Sequence, residues 1–160
     1  MSQHHAYTIL TRWTGNLGTG TSGYRAYGRN HELVGTDKTG PILGSSDRAF
    51  RGDSTRYNPE ELLVAALSAC HMLSYLHACA DAGVVVVDYV DEAQGTMVVE
   101  ADGKGKMTEV VLRPRVTLAR ADQEGVALAL HEEAHRLCFI ANSVSFPVRH
   151  LAAVETVRKG

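Results

Sequence analysis

The chain has little of most features that assign a protein to a class at sight. It carries three cysteines in 160 residues, an odd and small number that argues against a secreted framework of paired disulfides and favours a reducing, cytoplasmic setting. It has no excess of one charge. Sixteen Lys and Arg against eighteen Asp and Glu leave a formal net charge of −2, so neither nucleic acid nor a membrane surface is expected as a partner. No apolar run reads as long enough to cross a bilayer, and the start, MSQHHAYTIL, lacks the basic end and apolar stretch of a signal peptide. Repeats and low-complexity tracts are also missing. With 44% hydrophobic and 21% charged residues, what remains is an ordinary globular chain, read as a single domain over 1–160.

The pattern along the chain is mixed. AYTILTRW (Ala6–Trp13) and YRAYGRNHELV (Tyr24–Val34) read as strands. Between them GTGTSG, Gly18 to Gly23, spells G-x-G-x-x-G. A dinucleotide fingerprint must open a helix, whereas the residues after this one look extended, so a flexible connection is expected. Gly35 to Tyr57 is a long irregular segment holding Arg48, Arg51 and Arg56, and such segments are often functional. NPEELLVAALSACHMLSYLHACADAG then turns helical. Asn58 is a good N-cap, Pro59 suits the first helical position, Glu60 and Glu61 favour the positive end of the dipole, and Gly83 stops the helix. Apolar residues run nearly all round it, which predicts a buried central helix with a face left over for a partner.

VVVVDYV and GTMVVEA read as strands with a turn at Glu92–Gly95, and MTEVVLRPRVTLA as a third whose Pro114 marks an edge or bulge. Asp122 is read as the cap of a second helix running to about Ala141, and HLAAVETV as a closing strand. The order is ββ-α-βββ-α-β, an α+β class.

Cys70 and Cys79 share the first helix, roughly 13–14 Å apart, too far for a disulfide, which tolerates about 7 Å. Cys138, near the end of the second helix, can pack against either. Cys79 reads as core filler. Cys70 lies mid-helix, away from the helix N-terminus, and at an ordinary thiol pKa only about 3% of it would be thiolate at neutral pH. A reactive Cys70 therefore needs a cation nearby, and the loop arginines are the available ones; a structural thiol is the competing reading. His71 follows it but points about 100° away round the helix.

HEEAH, His131 to His135, matches the zinc-protease pattern letter for letter. A zinc-dependent hydrolase using His131, Glu132 and His135 is thus one alternative. It needs a third ligand, and nothing in the sequence selects between His150 and Glu155. On a helical wheel centred on Leu130 the two histidines fall on the boundary and the wet side, so they are expected to be boundary histidines, with no metal and no cofactor.

NPEELLVAALSACH resembles the signature of the OsmC/Ohr family, the osmotically inducible and organic-hydroperoxide-resistance proteins. In that family an N-P-E-x-L segment opens a central helix bearing the peroxide-attacking cysteine, and a second cysteine lies late in the chain, as Cys138 does in AHRLCFIANSV. The resemblance extends to element order and length over nearly the whole chain. It implies a thiol peroxidase in which Cys70 attacks the O–O bond, releases an alcohol and becomes a sulfenic acid, and Cys138 closes a disulfide with it. It also implies an Arg that holds the thiolate and a Glu that positions the Arg. Glu60 matches that Glu, and Arg51, in FRGD, is nominated for the Arg ahead of Arg48. The implied partners are an organic hydroperoxide substrate and a dithiol reductant, such as a lipoyl protein. Many relatives follow the second cysteine with proline where this chain has Phe139, and His71 stands where other branches often have an aromatic residue. A non-catalytic small-molecule-binding member of the fold is the remaining alternative.

The resemblance has a geometric consequence. Glu60 and Cys70 lie ten residues apart on one helix, roughly 15 Å along its axis, which no Glu side chain spans. If both serve one site, the Glu comes from a second copy, and an intertwined homodimer with composite sites is expected.

Overall fold

A computed structural model describes residues 1–157. The chain divides into two compact units, Met1–Leu62 and a second beginning at Leu63.

In the first unit β1 (Ile9–Trp13), β2 (His31–Gly35) and β3 (Ile42–Gly44) form an antiparallel sheet in that order. The strand expected over Tyr24–Val34 begins only at His31. Arg29 explains the delay: its guanidinium lies 4.5 Å and 4.1 Å from the ring centroids of Tyr24 and Tyr27 and donates to both their carbonyls. Cation–π attraction and two charge-assisted bonds thereby hold Tyr24–Tyr27 as a turn and bend. Gly18 and Gly20 adopt positive φ, and both their N–H groups donate to the Asn16 side chain. This is turn chemistry, and no helix follows it. At Gly15 a Cβ would meet the Gly28 carbonyl oxygen at 2.0 Å, so only glycine permits the paired backbone there. The long segment after β2 contains β3 and a short 3-10 turn, Arg48–Phe50.

α1 runs Pro59–Asp81. Asn58 and Glu61 make a reciprocal capping box: Glu61 N–H donates to Asn58 Oδ1 at 2.8 Å, and Asn58 N–H donates to Glu61 Oε2 at 3.0 Å. Gly83, at φ 70°, ends the helix. Contrary to the expectation that no apolar run is long enough, the mean hydropathy of 1.6 over an 18-residue window makes α1 long and apolar enough, by length and composition, to cross a membrane. The protein nevertheless buries one stripe of α1, Leu67, His71, Tyr75 and Cys79, at successive i+4 steps. Leu73, on another side, stays 64% exposed.

The second unit has two three-stranded sheets: β4 (Val86–Asp91), β7 (Pro114–Leu118) and β9 (Ala153–Thr156); and β5 (Gln94–Val99), β6 (Gly105–Leu112) and β8 (Val148–His150). The β4–β7 and β5–β6 pairs are antiparallel, and β9 and β8 join parallel. The α+β class stands, but with more strands than expected. The Pro114 run is two strands rather than one, because Arg113 breaks it: Arg113 N–H donates to Asp91 Oδ1 at 2.6 Å instead of to a sheet neighbour. Pro114 is the first residue of β7, in the middle of its sheet and not at an edge, a position where its missing N–H is tolerated. The closing strand likewise divides between the two sheets.

α2 spans Glu124–Leu137. Asp122 lies in a preceding 3-10 turn, Ala121–Gln123, where it bonds Arg120 rather than capping the helix, and the helix stops with Cys138 as its C-cap. Two apolar clusters hold the unit together. Tyr75, Cys79, Val84, Val116, Leu118, Ala127 and Ala134 form one; Leu67, Val110 and Leu112 form the other. α1 contributes to both. The capping box predicts that Asn58→Ala costs about 1 kcal/mol of stability, measured by urea denaturation, with Asn58→Ser recovering most of it.

Candidate functional site

Cys70 sits midway along α1 and is half-buried, while Cys138 at the end of α2 is buried. Both thiols are free, and Cys70 is near enough to Cys138 to be among the groups that raise its thiol. Two further contacts fix Cys138. Its N–H donates to the His135 carbonyl, and its Sγ accepts from the Ala141 N–H at 3.4 Å. Burial pushes the Cys138 thiol up to about 11 and the adjacent Cys70 adds to this, partly offset by the N–H groups of Ala141 and Ile140. At neutral pH Cys138 is therefore a protonated thiol. Cys79 is buried among apolar neighbours and Tyr75, and burial raises its thiol as well.

The other nominated residues belong to the first unit. Arg51 follows the 3-10 turn at φ 66° and is exposed, as is Arg48 within the turn. Among the described residues neither guanidinium has a hydrogen-bonded or ionic partner, whereas Arg56 reaches Asp53 at 3.8 Å. Glu60 is the second residue of α1; Glu61, not Glu60, closes the capping box.

The histidines are not where the helical wheel placed them. His131 is 0% exposed, and the buried stripe of α2 is Ala127, His131 and Ala134, with the buried Cys138 continuing it. Val126 and Leu128, each about half exposed, face away. The wheel was centred on the bulkiest apolar residue, but a stripe with two alanines lets the helix approach closely enough for aromatic rings to fill the gap. Tyr75 does so from α1. Its ring stacks on His131 with centroids 3.8 Å apart and planes within 10°, and its hydroxyl donates to the Ala127 carbonyl at 3.0 Å.

His71, also 0% exposed, meets His131 edge to edge: Nε2 and Nδ1 are 3.0 Å apart, with the rings within 6° of parallel. His150 from β8 lies 5.5 Å and 5.9 Å, centroid to centroid, from His71 and His131, and His135 lies 5.6 Å from His150. Burial, reinforced by the neighbouring imidazoles, lowers His71 to about 4 and His131 to about 3. His150 is also lowered by burial, against the pull of Glu132.

This five-ring cluster was not apparent in the sequence, where its members are spread from 71 to 150. Glu132, the would-be base of HEEAH, is 80% exposed at the side chain and bonds His150 at 3.3 Å rather than facing His131. No three His, Cys, Asp or Glu side chains among the described residues converge to hold a metal. The histidines are packed as an interior, and the zinc-hydrolase reading has no geometric support.

The comparisons with known proteins follow the same lines. Residues 52–150 match the family model described as OsmC-like protein. The uncharacterized protein YmaD of Bacillus subtilis is 30% identical over 148 residues, covering 89% of this chain and 83% of its own. An OsmC-like protein of unknown function from Vibrio cholerae superposes with a TM-score of 0.83 at 30% identity, over 93% of this chain and 99% of that one. An organic hydroperoxide resistance protein from Legionella pneumophila shares the fold at 21% identity, with a TM-score of 0.67 over 95% and 99% of the two chains. With a family model spanning most of the chain and both 30% relatives aligned over most of their length, this chain belongs to the OsmC/Ohr family.

Proposed function

We propose that this protein is a thiol-dependent peroxidase that reduces organic hydroperoxides to alcohols. The observation that carries the reading is the pairing of a half-buried Cys70 on α1 with a buried Cys138 at the end of α2, close enough for Cys70 to help raise the Cys138 thiol. The Cys70 thiolate attacks the terminal peroxide oxygen, the O–O bond breaks, and the leaving alkoxide takes a proton to depart as the alcohol. Cys70 is left as a sulfenic acid. The Cys138 sulfur then displaces hydroxide from that sulfur, forming the disulfide and releasing water once the thiol proton is transferred. A dithiol reductant returns both cysteines to thiols and is itself oxidised to a disulfide.

The unequal environments support this division of labour. Cys70 is half-buried and reachable, while Cys138 is buried and held protonated. Negative charge at Cys70 helps keep the Cys138 proton in place. Oxidation of Cys70 to a neutral sulfenic acid removes that charge, so the second thiol becomes more acidic when it is needed. Arg51 is proposed to hold the thiolate, with Arg48 the second choice, and Glu60 to position the guanidinium. The fold relative named as an organic hydroperoxide resistance protein supports the substrate class.

One equivalent of an alkyl hydroperoxide should leave a Cys70–Cys138 disulfide by mass spectrometry, with Cys79 still open to alkylation after unfolding. Cys70→Ser should consume no peroxide, and Cys138→Ser should complete one turnover and trap a sulfenic acid. Unchanged turnover in Cys70→Ser would remove the reading, leaving a binding role for the fold.

Arg51→Ala should slow Cys70 oxidation about tenfold near pH 7, with little effect at alkaline pH, where the thiolate forms without help. The same profile in Arg48→Ala, with Arg51→Ala unchanged, would reassign the arginine and keep the chemistry.

The site is proposed to be composite. Ten residues of continuous helix separate Glu60 from Cys70, roughly 15 Å, so each Glu60 would serve the partner's thiol in a two-fold dimer. Exposed apolar side chains such as Leu73 and Phe139 are consistent with a covered surface. Glu60→Ala and Cys70→Ser chains, each inactive alone, should recover activity when refolded together. A verified heterodimer without activity, or a fully active monomer, would refute the shared site.

A further inference from the structure

The five-ring cluster has no part in the peroxide chemistry, and its hydrogen bonding is incomplete. His71 Nδ1, His131 Nε2 and His135 Nδ1 are all buried with no partner. In the His71–His131 bond one nitrogen donates and the other accepts, so each ring has one further nitrogen. Whichever tautomer forms, one of these two outer nitrogens is an unpaired N–H and the other an unpaired lone pair. Such groups each cost stability when kept from water.

The groups facing the bond come from every element packed around it: Tyr75 on α1, His135 and the rim residue Glu132 on α2, His150 on β8, and Tyr89 on β4, whose ring is 6.0 Å from that of Tyr75. The one carboxylate in this set, Glu132, is spent on His150 at the surface. None neutralises a charge on His71 or His131.

We propose that the His71–His131 bond is an acid-sensitive clasp between α1 and α2. Neutral, it ties the two helices together one residue from Cys70 and two turns from Cys138. A first proton places an uncompensated cation in the interior, and a second leaves two N–H groups facing each other 3.0 Å apart. Acid therefore drives the helices, and the thiols they carry, apart. The clasp itself does not depend on the peroxidase reading.

The sign follows from the buried state. Both imidazoles are held neutral in the fold, with pKa values lowered to about 4 and about 3, while in the unfolded chain they take protons below about 6.5. The unfolded state binds more protons, so stability is full above that pH and falls as the pH drops toward the folded values. Between pH 7 and pH 5 each imidazole should raise the unfolding equilibrium constant about 20-fold.

The test is denaturant unfolding of the whole protein at both pH values. The double variant His71→Leu, His131→Leu should lose this acid response, while His77→Gln, at an exposed position, should keep it in full. An equally steep response in the double variant would overturn the proposal. Should that variant fail to fold, the wild-type imidazole signals followed by NMR decide: His71 and His131 must stay neutral in the folded protein through pH 5, and titration near 6.5 would overturn it. Hydrogen exchange at pH 5, corrected for intrinsic rate, should show α2 amides losing protection before those of β6; simultaneous loss would show global unfolding without a clasp. Because these measurements read stability and protonation, they hold or fail separately from peroxide turnover.

Discussion

Two cysteines on different helices can react with each other only when the helices bring their Cα atoms to within about 7 Å. Most of the second unit bears on that requirement. α1 and α2 meet along stripes dominated by small or flat groups: Ala127, Ala134 and Cys138 on one side, and the rings of His71 and Tyr75 on the other. Larger aliphatic side chains at those α2 positions would hold the helices apart. The contact is also directional. The Tyr75 hydroxyl, bonded to the Ala127 carbonyl, and the His71–His131 bond fix the position of one helix against the other as apolar packing alone does not.

The sheets carry this helix pair. α1 packs over two clusters, one drawing on β7 and the other on β6, with β9 and β8 extending those two sheets in parallel. The chain leaves α2 through Cys138 and reaches β8 within about ten residues, so His150 arrives beside the histidines of both helices. The end of α2 is itself shaped by the thiol, because Cys138 caps the helix with its N–H on the His135 carbonyl while its sulfur accepts from Ala141. The second cysteine, proposed as the resolving thiol, is thus also the point at which a helix stops.

Burial gives the ionisable groups of this interior opposite tendencies under one rule, that the charged form is disfavoured. Thiols and phenols are pushed up, as at Cys138, Cys79, Tyr75 and Tyr89, and imidazoles down, as at His71 and His131. The interior is neutral as a result. A carboxylate lies at its rim, at Glu132 beside His150. A thiolate at Cys70 must therefore draw its stabilisation from outside the helix pair, which is why the proposed function looks to an arginine.

The sequence by itself determined the features that local chemistry controls. Asn58, Glu61 and Gly83 specify where α1 begins and ends, and the segment they enclose carries the family signature, so the α+β class and the family were both legible. Element number was less so. Arg113 divides one apparent strand by giving its N–H to Asp91, and Arg29 keeps Tyr24 and Tyr27 out of another, through contacts that no strand pattern encodes. Only the tertiary structure decided which face of α2 is interior. A helical wheel ranks faces by apolar bulk and leaves His131 at the boundary; the fold turns the alanine face of α2 inward and fills the gap with the rings of Tyr75, His71 and His131. Whether a histidine is wet or buried depends on partners distant in the chain, and those partners become neighbours only when the helices pack.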